Sequence, residues 1–295
     1  MGCLLAARLT EAGEDVVLFD KHPARASAIT KQGLRIEGIG GCRTLRVPAT
    51  AEPAKARGAA AVFLCVKAFD TETAAREVLR LKGEDSTVVS LQNGLGNAEQ
   101  IGRVLPASSV VLGVTSHGAT RLGPGRVRHA GEGPTFVGPR CADQAARARR
   151  IQALLTAGGI ETRTVSDLAG AVWSKLVVNA AINALSAVAN ARNGALLEDA
   201  ELRGLLHAAA REAAAVAKAK GIVLRYRDPI EEVEAVCRAT AANVSSMLQD
   251  VRGKRRTEIE AINGGIVREA RTLGIATPTN QMLLDRVRAV EKEYR

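Results

Sequence analysis

MGCLLAARLTEAGEDVVLFD, residues 1–20, is the stretch whose reading decides the fold. It reads as a helix, a stop at Gly13, and a strand Asp15 to Phe19 that leads into the acidic Asp20. That is the second half of a dinucleotide-binding βαβ unit. A whole unit begins with an apolar strand and the first two glycines of GxGxxG; here Gly2 alone stands where the third glycine belongs, the one that permits close helix–strand packing. In a doubly wound sheet that first strand is central. Its loss leaves unpaired backbone groups that cost about 1–3 kcal/mol each. We therefore expect Met1 to be an internal methionine of a longer reading frame, with about ten residues, one strand and a turn, in front of it.

Further along, short β-branched runs alternate with helical patterns, as in a parallel sheet built from βαβ units. Strands are expected at Ala60 to Val66, Ser86 to Gln92 and Ser109 to Thr115. LRIEGIGGCRTLRV reads as a hairpin about Gly40 and Gly41, and GRVRHAGEGPTFVG as a second one turning near Gly131 to Gly133. Ile160 to Val165 is a last strand, with a helix N-cap at Ser166 and Asp167. Beyond it the pattern is helical, with segments at Leu197 to Lys220, Pro229 to Val251, Thr257 to Leu273 and Thr279 to Tyr294. The expected fold is α/β: a Rossmann-like, doubly wound domain over residues 1–166 that lacks its first strand, then an all-helical domain over residues 167–295.

Composition narrows the function. The chain carries 41 basic and 31 acidic side chains for a net charge of +10, but the basic residues are scattered and only 2% of residues are aromatic. A nucleic-acid surface needs gathered charge and stacking rings, so no nucleic-acid partner is expected. The core must be aliphatic. Five cysteines, Cys3, Cys42, Cys65, Cys141 and Cys237, lie far apart with no CxxC pair, so neither a disulfide framework nor a metal site is expected. No uncharged apolar run reaches membrane length and no signal peptide opens the chain, which points to a cytoplasmic protein with no membrane partner. A homodimer is compatible with the sequence.

Three places carry polar groups where chemistry could use them. VKAFDT puts Lys67 at the end of one strand, and SLQNGLGN puts Asn93 at the end of the next, the edge at which open α/β sheets bind ligands. Asn-Gly is equally ordinary turn chemistry. In the helix WSKLVVNAAINALSAV, Lys175, Asn179 and Asn183 fall at i, i+4 and i+8, a single polar stripe among apolar neighbours. A lysine placed there should face a carboxylate, a ligand or water, and desolvation should lower its pKa until it is a usable proton donor. NVSSMLQDV places Asn243 and Ser246 at i, i+3 of a helix, and Glu258 is expected to begin the next helix. There it would serve either as a helix-dipole partner or as partner to Lys175 or a substrate hydroxyl.

VKAFDT, SLQNGLGN, the KLVVNAAIN helix, the Asn193–Gly194 pair and NVSSMLQDV with RRTEIEAING, in this order, make the chain resemble the ketopantoate reductase family over nearly its whole length. The resemblance implies a Rossmann domain holding NADP(H), a helical domain supplying substrate residues, and reduction of a small 2-keto acid in pantothenate, hence coenzyme A, biosynthesis. By the same token Lys175 is the general acid and Glu258 an assisting carboxylate. Asn179, Asn183, Asn243 and Ser246 bind substrate, and Lys67 and Asn93 contact the cofactor. The sequence departs from the family at the glycine loop, where only Gly2 remains. Asp20 would favour a ribose hydroxyl and NAD, whereas Lys21 and Arg25 would take a 2′-phosphate. The resemblance selects NADP(H), with Gly2, Asp20 and Arg25 completing the cofactor set. Two alternatives stay open: a reductase of another small 2-keto acid, and a non-catalytic binding protein.

Overall fold

The structure, a computed structural model, describes residues 1–139 and 144–294; Cys141 lies outside them. The chain divides into two compact units, Met1–Gln92 with Asn97–Leu168, and Asn93–Gly96 with Ala169–Arg295. The short loop Asn93–Gly96 thus belongs with the helices that follow residue 168.

The first unit runs α1 (Gly2–Glu11), β1 (Leu18–Phe19), α2 (Pro23–Gln32), β2 (Leu34–Gly38), β3 (Arg43–Leu45), β4 (Ala49–Thr50), β5 (Ala59–Leu64) and α3 (Thr71–Leu81). It continues with β6 (Lys82–Ser90), α4 (Asn97–Gly102), β7 (Val110–Thr115), β8 (Gly118–Gly123), β9 (Arg126–Gly131), β10 (Thr135–Gly138), α5 (Ala145–Ala157) and β11 (Thr162–Thr164). Three sheets form among the described residues: β11-β10-β7-β6-β5, β3-β2-β9-β8, and the pair β1-β4. In the first, β5, β6 and β7 are parallel. Val88, Val89 and Val111 are fully buried on them, as a sheet covered on both faces requires. The second is one-sided. Leu34 and Ile36 are buried while Arg35 is exposed and Glu37 half-buried, the two-residue alternation of a half-solvated strand.

The expected Rossmann-like α/β unit is present, with two corrections. Of Asp15 to Phe19 only Leu18 and Phe19 are strand, and they pair with β4. The second expected hairpin does not form across Gly131 to Gly133. β9 instead returns antiparallel on β8, while β10 leaves to pair antiparallel with β7 and parallel with β11. The hairpin about Gly40 and Gly41 forms as read, joining β2 to β3, and both glycines take the positive φ that its turn needs.

The second unit is helical: α6 (Leu168–Ala189), α7 (Ala195–Glu198), α8 (Ala200–Ala219), α9 (Pro229–Ala239), α10 (Ser246–Arg252), α11 (Asn263–Thr272) and α12 (Pro278–Lys292). α6 is long and apolar enough to cross a membrane by length and composition, yet most of it is buried within the protein, and it forms the axis of this unit's core. Ala209, Ala213 and Val216 fall on one fully buried face of α8, so small side chains let helices approach closely where no aromatic filler is available. Each of the buried leucines, Leu176, Leu185, Leu206, Leu248 and Leu283, contributes about 1.5–3 kcal/mol by leaving water.

Two expected helices are shorter than their periodicity predicts. Pro229 to Val251 is two helices, because Asn193 N–H and Gly194 N–H bond to the carbonyls of Asn243 and Ala241 and hold 240–245 out of the helix. Asn243 therefore precedes α10 instead of sharing a helix face with Ser246. The helix expected from Thr257 starts only at Asn263, which leaves Glu258 in a non-helical turn with no helix dipole to serve.

Candidate active site

α6 presents Lys175, Asn179 and Asn183 along one stripe, as the spacing predicts. Around them the helix is closed: Trp173, Leu176, Val177, Ala180 and Ile182 are buried. The turn before Lys175 is fixed from outside. Ser174 Oγ donates to the Gly170 carbonyl at 2.7 Å and accepts the Arg225 N–H at 2.8 Å, while the Tyr226 hydroxyl donates to the Ser174 carbonyl at 3.1 Å. This clamp from 225–226 is not visible in the sequence, because nothing local marks those residues as neighbours of α6.

Lys175 Nζ donates to Asn93 Oδ1 at 2.8 Å, and Asn93 Nδ2 donates to Glu258 Oε2 at 3.5 Å. Three residues far apart in sequence thus form one chain, ammonium to amide to carboxylate. Asn93, placed on the cofactor side by resemblance, is the link between Lys175 and Glu258. Burial lowers the Lys175 pKa to about 8, and the negative charge of Glu258 opposes the drop. Glu258 itself is 7% exposed.

The backbone around this chain is over-determined. Leu95 N–H bonds to the Ala261 carbonyl at 2.8 Å, docking the 93–96 loop on the turn that carries Glu258. Gly94 has φ +81°, and a Cβ there would lie 2.6 Å from the Ala261 carbonyl oxygen; no side chain fits.

The remaining predicted substrate residues gather near Asn183. Ser245, beside the predicted Ser246, caps α10 through Leu248 N–H, and its hydroxyl meets Ser186 Oγ at 2.5 Å and the Asn183 carbonyl at 3.5 Å. That docks 243–246 on α6. Ser246 is exposed, Asn243 half-buried and Asn183 8% exposed. Asn193, part of the Asn193–Gly194 pair that carries the resemblance, is buried and donates to Thr240 Oγ1 at 2.9 Å, and its backbone N–H holds the Asn243 carbonyl.

In the first unit, Asp20 follows β1 and accepts from Arg25 at 2.8 Å and from His22 N–H at 2.9 Å. Arg25 Nε is buried without a hydrogen-bond partner among the described residues. The rest of its guanidinium is partly exposed beside a neutralised carboxylate, a setting that fits an anionic group such as a phosphate. Gly2 opens α1 where a Cβ would press on Cys65 at 3.2 Å, as a close-packing glycine should. Lys67 is half-buried before a short 3₁₀ turn. Its loop is held by a network that sequence reading left unassigned: Gln92 donates to the Val66 carbonyl and to Thr71 Oγ1, and Thr71 donates to Asn97 Oδ1. The signal was present in polar residues ending two consecutive strands.

One cluster among the described residues could hold a metal: His117, His129 and Glu132, with donor atoms within 4.8 Å of one another. His117 Nδ1 and His129 Nε2 are 3.0 Å apart with ring centroids at 5.2 Å, so the rings meet edge to edge across a shared proton. Those two nitrogens are thus engaged with each other, and Glu132 is exposed.

Comparisons with known proteins bear on the family and the fold. Residues 1–141 match the family model described as ketopantoate reductase PanE/ApbA, and residues 167–291 match its C-terminal counterpart. The 2-dehydropantoate 2-reductase of Halobacterium salinarum is 36% identical over 99% of this chain and 96% of its own length. That of Archaeoglobus fulgidus is also 36% identical, over 99% of this chain and 95% of its own. A crystal structure of a PanE/ApbA family ketopantoate reductase from Ralstonia eutropha JMP134 superposes with a TM-score of 0.90 at 32% identity, covering 99% of this chain and 95% of that one.

Proposed function

The chain belongs to the ketopantoate reductase family, and from that membership we propose that it reduces 2-dehydropantoate to pantoate, with NADPH as hydride donor and Lys175 as general acid. The observation that carries the reading is the Lys175–Asn93–Glu258 chain, an ammonium with its pKa near 8 held by a neutral amide next to a carboxylate.

When bound, the nicotinamide supplies the hydride that the keto carbon accepts. As the carbonyl oxygen gains charge, the Lys175 ammonium stabilises it and then donates its proton, leaving a neutral amine that solvent recharges. A pKa near the working pH makes both halves of that cycle accessible. Asn93 keeps Nζ in one place through its oxygen, so the proton is delivered along a fixed direction. Glu258 keeps Lys175 protonated against desolvation. Asn179 and Asn183 offer amides, with no side-chain hydrogen bond among the described residues, that can hold a substrate carboxylate or hydroxyl; Asn243 and Ser246 complete the polar set. Residues 1–166 are the cofactor part and 167–295 the substrate part. Arg25, with Lys21 nearby, supports NADPH over NADH, because its side chain is 36% exposed beside Asp20, where a 2′-phosphate would lie, and its pairing offsets the charge of Asp20.

The test is NADPH oxidation with 2-dehydropantoate and identification of the product. Lys175→Ala should lower turnover by about 10²–10⁴ with substrate affinity much less affected. Faster reduction of another 2-keto acid would overturn the substrate, a strong NADH preference the cofactor, and full turnover in the variant the role of Lys175.

A further inference from the structure

Glu258 lies in the non-helical segment between α10 and α11, and the end of the chain is bonded to that segment. α12 and Tyr294, just beyond it, grip the segment on both sides of Glu258. The Tyr294 hydroxyl donates to the Arg255 carbonyl at 3.1 Å, Thr257 N–H donates to Glu291 Oε1 at 2.7 Å, and the Arg288 guanidinium forks onto Glu260 at 2.6 and 2.9 Å. The first and third contacts lie at the surface, where they are weakly held. The second is different: Thr257 is 2% exposed and Glu291 6%, so a charge-assisted bond in a dry place lands on the residue directly before Glu258. From there the path is continuous. Thr257 Oγ1 accepts Ile259 N–H, the Glu258 carbonyl accepts Ala261 N–H, and the Ala261 carbonyl accepts Leu95 N–H, which sets the loop bearing Asn93.

We propose that Glu291 is a positioning residue for the reduction: through Thr257 it fixes the turn that presents Glu258, and through Ala261 and Leu95 the loop that presents Asn93 to Lys175. This rests on the reading of Lys175 as the acid. Glu291 touches neither substrate nor the reacting atoms. Its carboxylate is a buried acceptor for the Thr257 N–H, a contact that an amide oxygen of the same shape can also make.

Three variants of the full chain test this: Glu291→Ala, Glu291→Gln and Glu291→Asp. Glu291→Ala should lower kcat about 10–100-fold, the cost of a displacement near 1 Å, with KM for the keto acid changed about threefold or less. Glu291→Gln should stay close to the parent. The second readout needs no turnover: the pKa of Lys175, followed by NMR of labelled lysine, should fall in Glu291→Ala, because the charge of Glu258 that supports it has moved, and hold in Glu291→Gln. Should Glu291→Ala fail to fold, Glu291→Asp, one methylene short of Thr257, should show the same changes in smaller degree. An alanine or aspartate variant that keeps both kcat per folded molecule and the Lys175 pKa overturns the proposal, as does a glutamine variant as damaged as the alanine one. If the parent does not reduce 2-dehydropantoate, the assigned activity fails, and the lysine titration alone decides the role of Glu291.

Discussion

Replacing Lys175 with methionine should abolish turnover and change the way stability depends on pH. Lys175 titrates near 8 in the folded chain, against an ordinary 10.5. At about 1.4 kcal/mol for each tenfold change in proton affinity, folding around the charged side chain costs about 3 kcal/mol. The unfolded chain binds the proton more tightly, so between pH 8 and 10.5 the parent gains stability as pH rises, and below 8 the whole cost is present. Methionine keeps most of the shape and has no proton to lose. Packing differences, including the lost bond to Asn93, are the same at every pH, so the useful quantity is the change in the parent–variant difference. Urea unfolding of both at pH 7 and pH 10.5 should show the variant's relative stability falling by about 3 kcal/mol from the first pH to the second. Other groups titrate in both proteins and cancel, Glu258 being the charge that acts directly on Lys175. Parallel pH profiles would refute the reasoning, since they would mean that Lys175 is as well solvated folded as unfolded.

The rate of keto-acid reduction should fall about tenfold per pH step above 8 as the acid loses its proton, and Glu258→Gln should move that break to lower pH, both read from pH–rate profiles. Asn93→Ala removes the acceptor that orients Nζ and should lower kcat about 10–100-fold with little change in melting temperature. Arg25→Ala should raise KM for NADPH at least about tenfold and leave NADH nearly untouched, a charged hydrogen bond being worth about 1.5–3 kcal/mol; equal effects on both cofactors would remove Arg25 from the 2′-phosphate site. Gly94→Ala forces a Cβ against Ala261 at positive φ and should cost about 2–4 kcal/mol in denaturant unfolding.

What the sequence revealed and what it hid divide by range. The Val-rich runs of β6 and β7 and the apolar repeat of α6 announce themselves, because burial on known faces is written at fixed spacing. The polar stripe on α6 was legible for the same reason, and so was the direction of the Lys175 pKa. Pairing choices were not. GEGP reads as a turn, but whether β10 folds back on β9 or joins β7 depends on strands tens of residues away. Glu258 was found while its setting was misread: Thr257 N–H, free in principle to start a helix, is taken by Glu291 some thirty residues later. Asn243 was misplaced likewise, pulled from the helix by Asn193.

The burial of α6 has a consequence for how the chain is made. Its 22 apolar-rich residues leave the ribosome before α8 to α12, and the last of these ends about a hundred residues further on, about 5–20 s of synthesis. Through that interval the segment is open to chaperones and to membrane-insertion machinery alike. A single charge interrupts it, and an ammonium inside an inserting helix costs about 2.5–3.5 kcal/mol. Lys175, the proposed acid, is also the charge that counts against insertion of its own helix; ribosome-bound chains cut after Ala189 and carrying methionine at position 175 should be captured by membranes more readily than the parent.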